Sequence, residues 1–553
     1  MDDHLPRALA VRLERAEELL DAEQYGRAAA VLRKAVRLHP TSALAYSHLA
    51  EALSSTHQRD DTEEAVRHLQ AAIAGGGVSH MLHHNLASLL AKLEREAEAT
   101  PHYFAAWRLA PHIEGEALAR GLSARMGSCD WSDAPLAEYV LRWEEGYRHM
   151  GMLELNRLGR PELALAVALE RSRGHAEAAA EAASPRAPAR GGNAAARARA
   201  HAPTRAPLRI GYLSADMASV DHPMRRLIAP LLRLHSAAGS MDGKRRIKVV
   251  LFNVAARDEN RGSGADAIAG VPVQHIAASV GAAAVADAVS RRAVHLLVDL
   301  SSHTAGGRLD ALAHHPAPVS VSALGYAGTS GATFVHYLPV DRVAVPPPLS
   351  RHYVERNVHL PHSVHPAQHA AERATPLAHW RGAFGSRAVV GSWNSERKLG
   401  PNDWHLWGNV LRASPLTVLQ QAVAWPEADS ARRLGDELLA AGLHARRRLA
   451  LPTRVSQSEH HARVRATDLG LDVPLWNGAS TSLDVLWAGC PLLALPLAMM
   501  ASRLSASMLA SIALPQATLH SQREYEQMVL SLLRSHTPPR QDSFRIGAGV
   551  RRP

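Results

Sequence analysis

Only five of the 62 basic residues are lysine, and Lys398 is the single lysine after Lys248. Arginine fills the other lysine-or-arginine positions of that half. A compact ammonium and a planar guanidinium are not interchangeable, so Lys398 marks a candidate site where only lysine works; a lone surviving surface lysine explains the same count. Three loops carry further chemistry. Asn477-Gly-Ala-Ser480-Thr481-Ser482-Leu-Asp484 follows an apolar run and enters a helical stretch. Hydroxyls and N–H groups at a helix start bind anions such as a nucleotide diphosphate, and Asp484, one turn in, can accept from ribose hydroxyls. A plain N-cap with a first-turn acid explains these residues too. Ser214-Ala-Asp216 leads to Asp221-His222-Pro223, where imidazole and carboxylate suit acid–base or orienting chemistry, although most of the 33 histidines must be structural. In Gly325-Tyr-Ala-Gly328-Thr-Ser-Gly331, glycines let backbone N–H groups approach an anion or sugar. That loop matches neither the Walker nor the dinucleotide fingerprint, and an ordinary turn is the other reading.

These loops need elements to hold them. After the first two hundred residues, short β-rich runs alternate with helical stretches, the βαβ pattern. Candidate strands are Leu208–Ser214, Ile247–Val254, Val294–Leu300 and Val319–Leu324, then a second series from Ala388 through Leu416–Leu419, Leu449–Leu451, Leu469–Val473 and Leu492–Leu495. Two Rossmann-like domains facing a cleft follow, with ligands at the carboxyl ends of the strands. Upstream, segments starting at Ala28, Ala65 and Ala99 align at spacings of 37 and 34, and Leu49-Ala50 repeats as Leu86-Ala87. A period near 34 marks stacked helical pairs of tetratricopeptide type, whose concave side holds extended peptide. The expected domains are repeats over 1–122, a helical transition over 123–173 and an Ala/Arg/Pro-rich linker over 174–206. They continue with a first Rossmann-like domain over 207–345, a connection over 346–386, a second Rossmann-like domain over 387–535 and a tail over 536–553.

The composition, 46% hydrophobic and 21% charged, fits multidomain globular cores. Two cysteines, Cys129 and Cys490, exclude a disulfide framework. The start lacks a signal-peptide layout, and the most apolar stretch, Val485 to Ala501, is broken by Pro491 and Pro496. A cytoplasmic protein without a membrane span is expected. The net charge of +10 is spread arginine, with six arginines and no acid in Ser184–Arg209; aromatics are 5%, so no specific nucleic-acid binding is expected. No HExxH, GxSxG or Cys/His metal spacing occurs. His362, His365 and His369 lack carboxylate neighbours, so no metal site is expected.

Taken together, these segments resemble glycosyltransferase family 41, the O-linked N-acetylglucosamine transferases, over about residues 20 to 535. The marks are Cys129-Asp130-Trp131, Gly211-Tyr212 with Asp216, His222-Pro223, Pro316-Ala317-Pro318, Leu324 to Gly331, Asn394 to Lys398, Asn477 to Gly489, and Ala501-Ser-Arg503. The resemblance implies an α-helical tetratricopeptide-type solenoid followed by a GT-B region. It implies transfer of N-acetylglucosamine from UDP-GlcNAc to Ser/Thr hydroxyls of proteins, with inversion, no required metal and no cofactor, the repeats guiding protein or peptide acceptors. Lys398 falls on the lysine that stabilises the departing diphosphate, and His222 and Asp216 fall beside the sugar and acceptor. His460 and Arg463 match residues at the uracil, Ser480 and Thr481 those at the phosphates, and Asp484 the ribose carboxylate; Gly325 and Gly328 lie in the family's glycine loop. Departures stand at Ala479 (a histidine in the family), Gln457 (lysine), Ser395 (glutamine), Ala327 (proline) and Leu497-Ala-Met499 (Gly-Glu-Thr). No match to the family's proposed base occurs near Met152–Leu158. Two alternatives therefore stand: a repeat scaffold with a degenerate, non-catalytic transferase region, or the same fold with another donor such as GDP-fucose.

Overall fold

The computed structural model describes residues 6–22, 24–56, 58–93, 95–131, 152, 155–156, 159–182, 207–217, 222–237, 247–255, 268, 270–366, 384–422, 428–452 and 455–534. The chain divides into two compact units, 1–151 and 152–553.

The first unit is a stack of helices: α1 (Arg7–Asp21), α2 (Tyr25–Leu38), α3 (Ala43–Ser54), α4 (Arg59–Ala74), α5 (His80–Lys92), α6 (Glu96–Leu109) and α7 (Gly115–Gly127). The aligned alanines Ala28, Ala65 and Ala99 are all fully buried, as are Leu49 and Leu86. Small residues at these crossings let neighbouring helices approach closely, and each pair buries its apolar face only against the next. The repeat read from the sequence is thus the packing repeat of the core.

The second unit holds two parallel sheets. The N-terminal lobe contains β1 (Leu208–Ser214), β2 (Ile247–Ala255), β3 (Val273–Ala277), β4 (Leu296–Asp299), β5 (Val319–Ser322), β6 (Tyr337–Asp341) and β7 (Arg356–Leu360), in the order β3-β2-β1-β4-β5-β6-β7. The C-terminal lobe contains β8 (Ala388–Ser392), β9 (Thr417–Gln421), β10 (Leu449–Ala450), β11 (Leu469–Leu471) and β12 (Leu492–Leu493), in the order β10-β9-β8-β11-β12. Strands β8 and β9 are buried at every residue, as sheets covered on both faces require. Both lobes reverse strand order beside their first strand, so each has a crevice at its carboxyl edge, between β1 and β4 and between β8 and β11.

Two boundaries differ from the sequence reading. The helix Pro161–Ala182 runs nine residues into the stretch read as linker from 174; its Ala-rich composition, taken for low complexity, is good helix-forming sequence. The stretch 346–386, read as a connection, contributes β7 at the edge of the N-terminal sheet, paired in parallel with β6. Its prolines lie on either side of the strand, Pro346 to Pro348 before it and Pro361 directly after it, and leave Arg356–Leu360 free to pair. Residues 183–206 and the tail from 536 lie outside the described residues. Among the described residues, no helix is long and apolar enough to cross a membrane.

Candidate active site

Lys398 closes a short 3-10 turn, Glu396–Lys398, just past β8. Its half-buried ammonium donates to the Asn477 carbonyl oxygen at 2.7 Å and lies 5.2 Å from the Trp476 ring centre. Burial pulls its pKa down to about 8, against the opposing charge of Asp472. Asp472 follows β11 directly and is fully buried. Its Oδ1 accepts from Asn394 Nδ2 (2.8 Å), Val473 N (2.9 Å) and Gly478 N (2.9 Å), and its Oδ2 accepts from the Ser505 hydroxyl. One carboxylate therefore ties together the loops after β8 and β11 and the helix Leu504–Ser511. Desolvation raises its pKa, and these donors work the other way.

The chain then turns into the helix Ser480–Trp487. Gly478 has no room for a side chain, since a Cβ would stand 2.5 Å from Ser482 Oγ. Ala479 sits at φ +51°, a left-handed conformation that costs an L residue energy. Ser480 and Thr481 occupy the first helical turn, half-buried, three and four residues after Asn477, whose carbonyl holds Lys398. A single ammonium and a helix N-terminus thus stand at one strand-end crevice, an arrangement suited to a diphosphate.

Farther along the same crevice, Trp393 carries the Arg463 guanidinium 4.9 Å from its ring centre and the His460 ring edge-on at 5.5 Å. Arg463 Nη2 lies 3.1 Å from His460 Nδ1. Burial, assisted by the Arg463 charge, pulls His460 down to about 4, so the ring is neutral and accepts this bond. Asp484, buried one turn into its helix, receives Arg226 Nη2 at 2.8 Å from the N-terminal lobe and His461 Nε2 at 3.3 Å, both on Oδ1.

In the N-terminal lobe, Asp216 follows β1 and stands 3.8 Å (Oδ1) from His222 Nε2. His222 Nδ1 accepts the Met224 N–H at 3.3 Å at the start of the helix Pro223–Ala237, which leaves Nε2 facing the carboxylate. Burial raises the Asp216 pKa while His222 counteracts it. Behind it, fully buried Asp299 ends β4, accepts from Ser301 N and Ser302 N, and is pushed up to about 6 by burial.

The glycine loop runs where backbone and rings come close. A Cβ on Gly325 would stand 2.1 Å from the Leu300 carbonyl oxygen, and one on Gly328 2.7 Å from the Tyr326 ring. Gly331, at φ +67°, abuts the backbone of Ala168 in the helix Pro161–Ala182. Buried Glu355 holds the loop through Thr329 Oγ1 (2.7 Å) and Ser330 N (2.6 Å). The glycines are explained by close packing, and Ala327 joins the apolar cluster that contains Trp393 and Val485. Gly325→Ala is expected to cost about 3 kcal/mol or more through backbone overlap, seen as a fall in melting temperature.

His365 is buried and drawn down to about 4 by desolvation. Among the described residues, no group of three or more His, Cys, Asp or Glu can hold a metal ion. Asp221, His369 and the Gln457 side chain lie outside the described residues.

Sequence comparison meets this geometry. The family model described as glycosyl transferase family 41 matches residues 194–375 and 383–538, more than half of the chain and both lobes. The chain belongs to glycosyl transferase family 41. It is 28% identical over 338 residues to the probable UDP-N-acetylglucosamine–peptide N-acetylglucosaminyltransferase SEC of Arabidopsis thaliana, covering 59% of this chain and 33% of that protein. The UDP-N-acetylglucosamine–peptide N-acetylglucosaminyltransferase of Caenorhabditis elegans is 21% identical over 446 residues, covering 59% and 37%. The chain thus spans about a third of the length of these curated relatives. An O-GlcNAc transferase mutant of Thermobaculum terrenum shares the fold, with a TM-score of 0.61 at 22% identity over 98% of this chain and 96% of that one. The architecture of this family 41 glycosyltransferase is accordingly a tetratricopeptide-type solenoid with a GT-B region.

The crevice of the C-terminal lobe brings together Lys398, Ser480, Thr481, Asp484, His460 and Arg463. Asp216 and His222 pair in the other lobe. Gly325 and Gly328 lie in the N-terminal lobe, at positions where close packing leaves no room for a side chain. Sequence reasoning passed over Asp472, Asp299, Trp393 and Arg226. The two aspartates carried a usable signal, an acid at the end of an apolar strand (Asp299) or directly after one (Asp472). Arg226 carried none, because its partner is 258 residues away.

Proposed function

We propose that this glycosyltransferase is an inverting, metal-independent enzyme that moves N-acetylglucosamine from UDP-GlcNAc to Ser or Thr hydroxyls of proteins. The observation that carries this reading is the meeting of Lys398 with the N-terminus of the helix Ser480–Trp487 at a strand-order reversal. In the reaction, the acceptor hydroxyl oxygen bonds to the anomeric carbon on the face opposite UDP. The bond from that carbon to the diphosphate oxygen breaks, and the electron pair leaves with UDP. Lys398 and the first-turn groups of Ser480 and Thr481 stabilise the charge gathering on the diphosphate. Asp484 accepts from the ribose, and His460 and Arg463 line the base. Asp216 and His222 face the sugar side, where the hydroxyl proton must be handled. The repeats guide the acceptor.

Incubation with UDP-GlcNAc and a Ser/Thr-containing acceptor protein should add the mass of one N-acetylhexosamine per modified site and release one UDP. Inverted configuration at the anomeric carbon completes the expected result. Retention, or turnover with GDP-fucose alone, would contradict it. A second reading, a scaffold with a degenerate transferase region, is favoured by the exposed Leu497 after Pro496 and by strained Ala479; it expects no nucleotide binding.

The depressed Lys398 pKa gives a pH test. The ammonium is charged below about pH 8, and an anion favours the charged form, so diphosphate binding should take up a proton near that pH. UDP affinity should be flat below pH 8 and fall by up to about tenfold per unit above it. Calorimetry across that range checks this, and affinity that rises with pH would exclude Lys398 as the diphosphate partner.

A further inference from the structure

One side chain of the N-terminal lobe reaches into the nucleoside end of the C-terminal crevice. Arg226 lies on the helix Pro223–Ala237, one turn after His222. Its Nη2 donates to Asp484 Oδ1 at 2.8 Å, with Asp484 8% exposed and Arg226 23%. His461, 4% exposed, places Nε2 3.3 Å from the same oxygen. The Arg226 charge also reaches His460 and helps hold that ring neutral.

A carboxylate this buried keeps its charge only beside a cation, and without one it protonates or turns away. The guanidinium therefore sets both the ionisation and the direction of Asp484. A carboxylate offers about four acceptor directions, so holding Arg226 does not exhaust Asp484 as an acceptor. The contact also ties the helix that begins at His222 to the helix that begins at Ser480. A charge on one lobe is thus bonded to a buried carboxylate of the other.

We propose that Arg226 is a positioning residue for the nucleotide ribose: it holds Asp484 ionised and aimed at the 2′ and 3′ hydroxyls, and so links donor binding to the helix that carries His222. The proposal rests on the reading of this crevice as a nucleotide-sugar site.

The test compares the affinities of UDP and 2′,3′-dideoxy-UDP for the full chain, Arg226→Met and Arg226→Lys, with melting temperature followed for each. Hydrogen bonds from two hydroxyls to a charged acceptor predict that the unaltered chain prefers UDP by about tenfold or more. In Arg226→Met that preference should fall to near one, while dideoxy-UDP binds almost as before; Arg226→Lys should restore part of it. An unchanged preference in Arg226→Met overturns the proposal. So does an equal loss for both ligands, which would mean a general structural effect, and so does an unaltered chain that binds both equally. If the unaltered chain binds neither nucleotide, the nucleotide-site reading itself falls, and this proposal with it.

Discussion

Lys398→Met is expected to lower kcat by about 100- to 1000-fold, the loss typical when one preorganised donor to a developing charge is removed. Methionine matches the length and apolar stem of lysine, so no cavity opens. What disappears is the ammonium, with its bond to the Asn477 carbonyl and its place over the Trp476 ring. The lost charge is one that burial makes costly to keep, since its pKa is held near 8, but it also favours the ionised form of buried Asp472; the two effects oppose, and melting temperature should change little. Lys398→Arg should recover little activity, because a planar guanidinium neither fits the carbonyl geometry nor concentrates charge in the same way. Steady-state kinetics with a melting curve checks both halves. Unaltered kcat in Lys398→Met would remove this residue from the chemistry.

Asp472→Ala should damage the protein in the opposite manner, through stability first. It strands Asn394 Nδ2, the Val473 and Gly478 N–H groups and the Ser505 hydroxyl without their acceptor. Buried donors left unpaired cost about 1–3 kcal/mol each before relaxation or water entry, so a net loss of about 2–4 kcal/mol is expected. The Asp472 charge also holds the Lys398 pKa up; without it a smaller fraction of Lys398 is charged at neutral pH. Nucleotide affinity should therefore fall along with the melting temperature, whereas Lys398→Met separates the two. Asp472→Asn, which keeps shape but not charge, should fall between. Full nucleotide affinity in Asp472→Ala would show that the loops hold their places without this carboxylate.

Much of this was legible because it is periodic or punctuated. The repeat at Ala28, Ala65 and Ala99 is visible since each crossing requires a small residue. Strands such as β1 and β8 are visible since most of each run is apolar and buried on both faces. Lys398 stood out by residue type alone. Strand β7 escaped because it alternates at an edge, and the prolines on either side of it read as a connection. For the glycine loop the sequence leaves two readings, a ligand's approach or an ordinary turn. A sequence tells that a backbone comes close to something, and only the fold tells whether that something is a ligand or, as for Gly325, the Leu300 carbonyl. Arg226 and Asp484 meet through the facing of two lobes, which no local pattern encodes.

The central claim is that the carboxyl edge of the C-terminal sheet binds a nucleotide diphosphate through Lys398. Calorimetric titration of the chain and of Lys398→Met with UDP, UDP-GlcNAc and GDP-fucose tests it most directly. The expected result is saturable binding of UDP and UDP-GlcNAc, weakened by about tenfold or more in the variant, with GDP-fucose bound more weakly. No heat from any of the three at millimolar ligand would contradict the account and leave the repeat scaffold in its place.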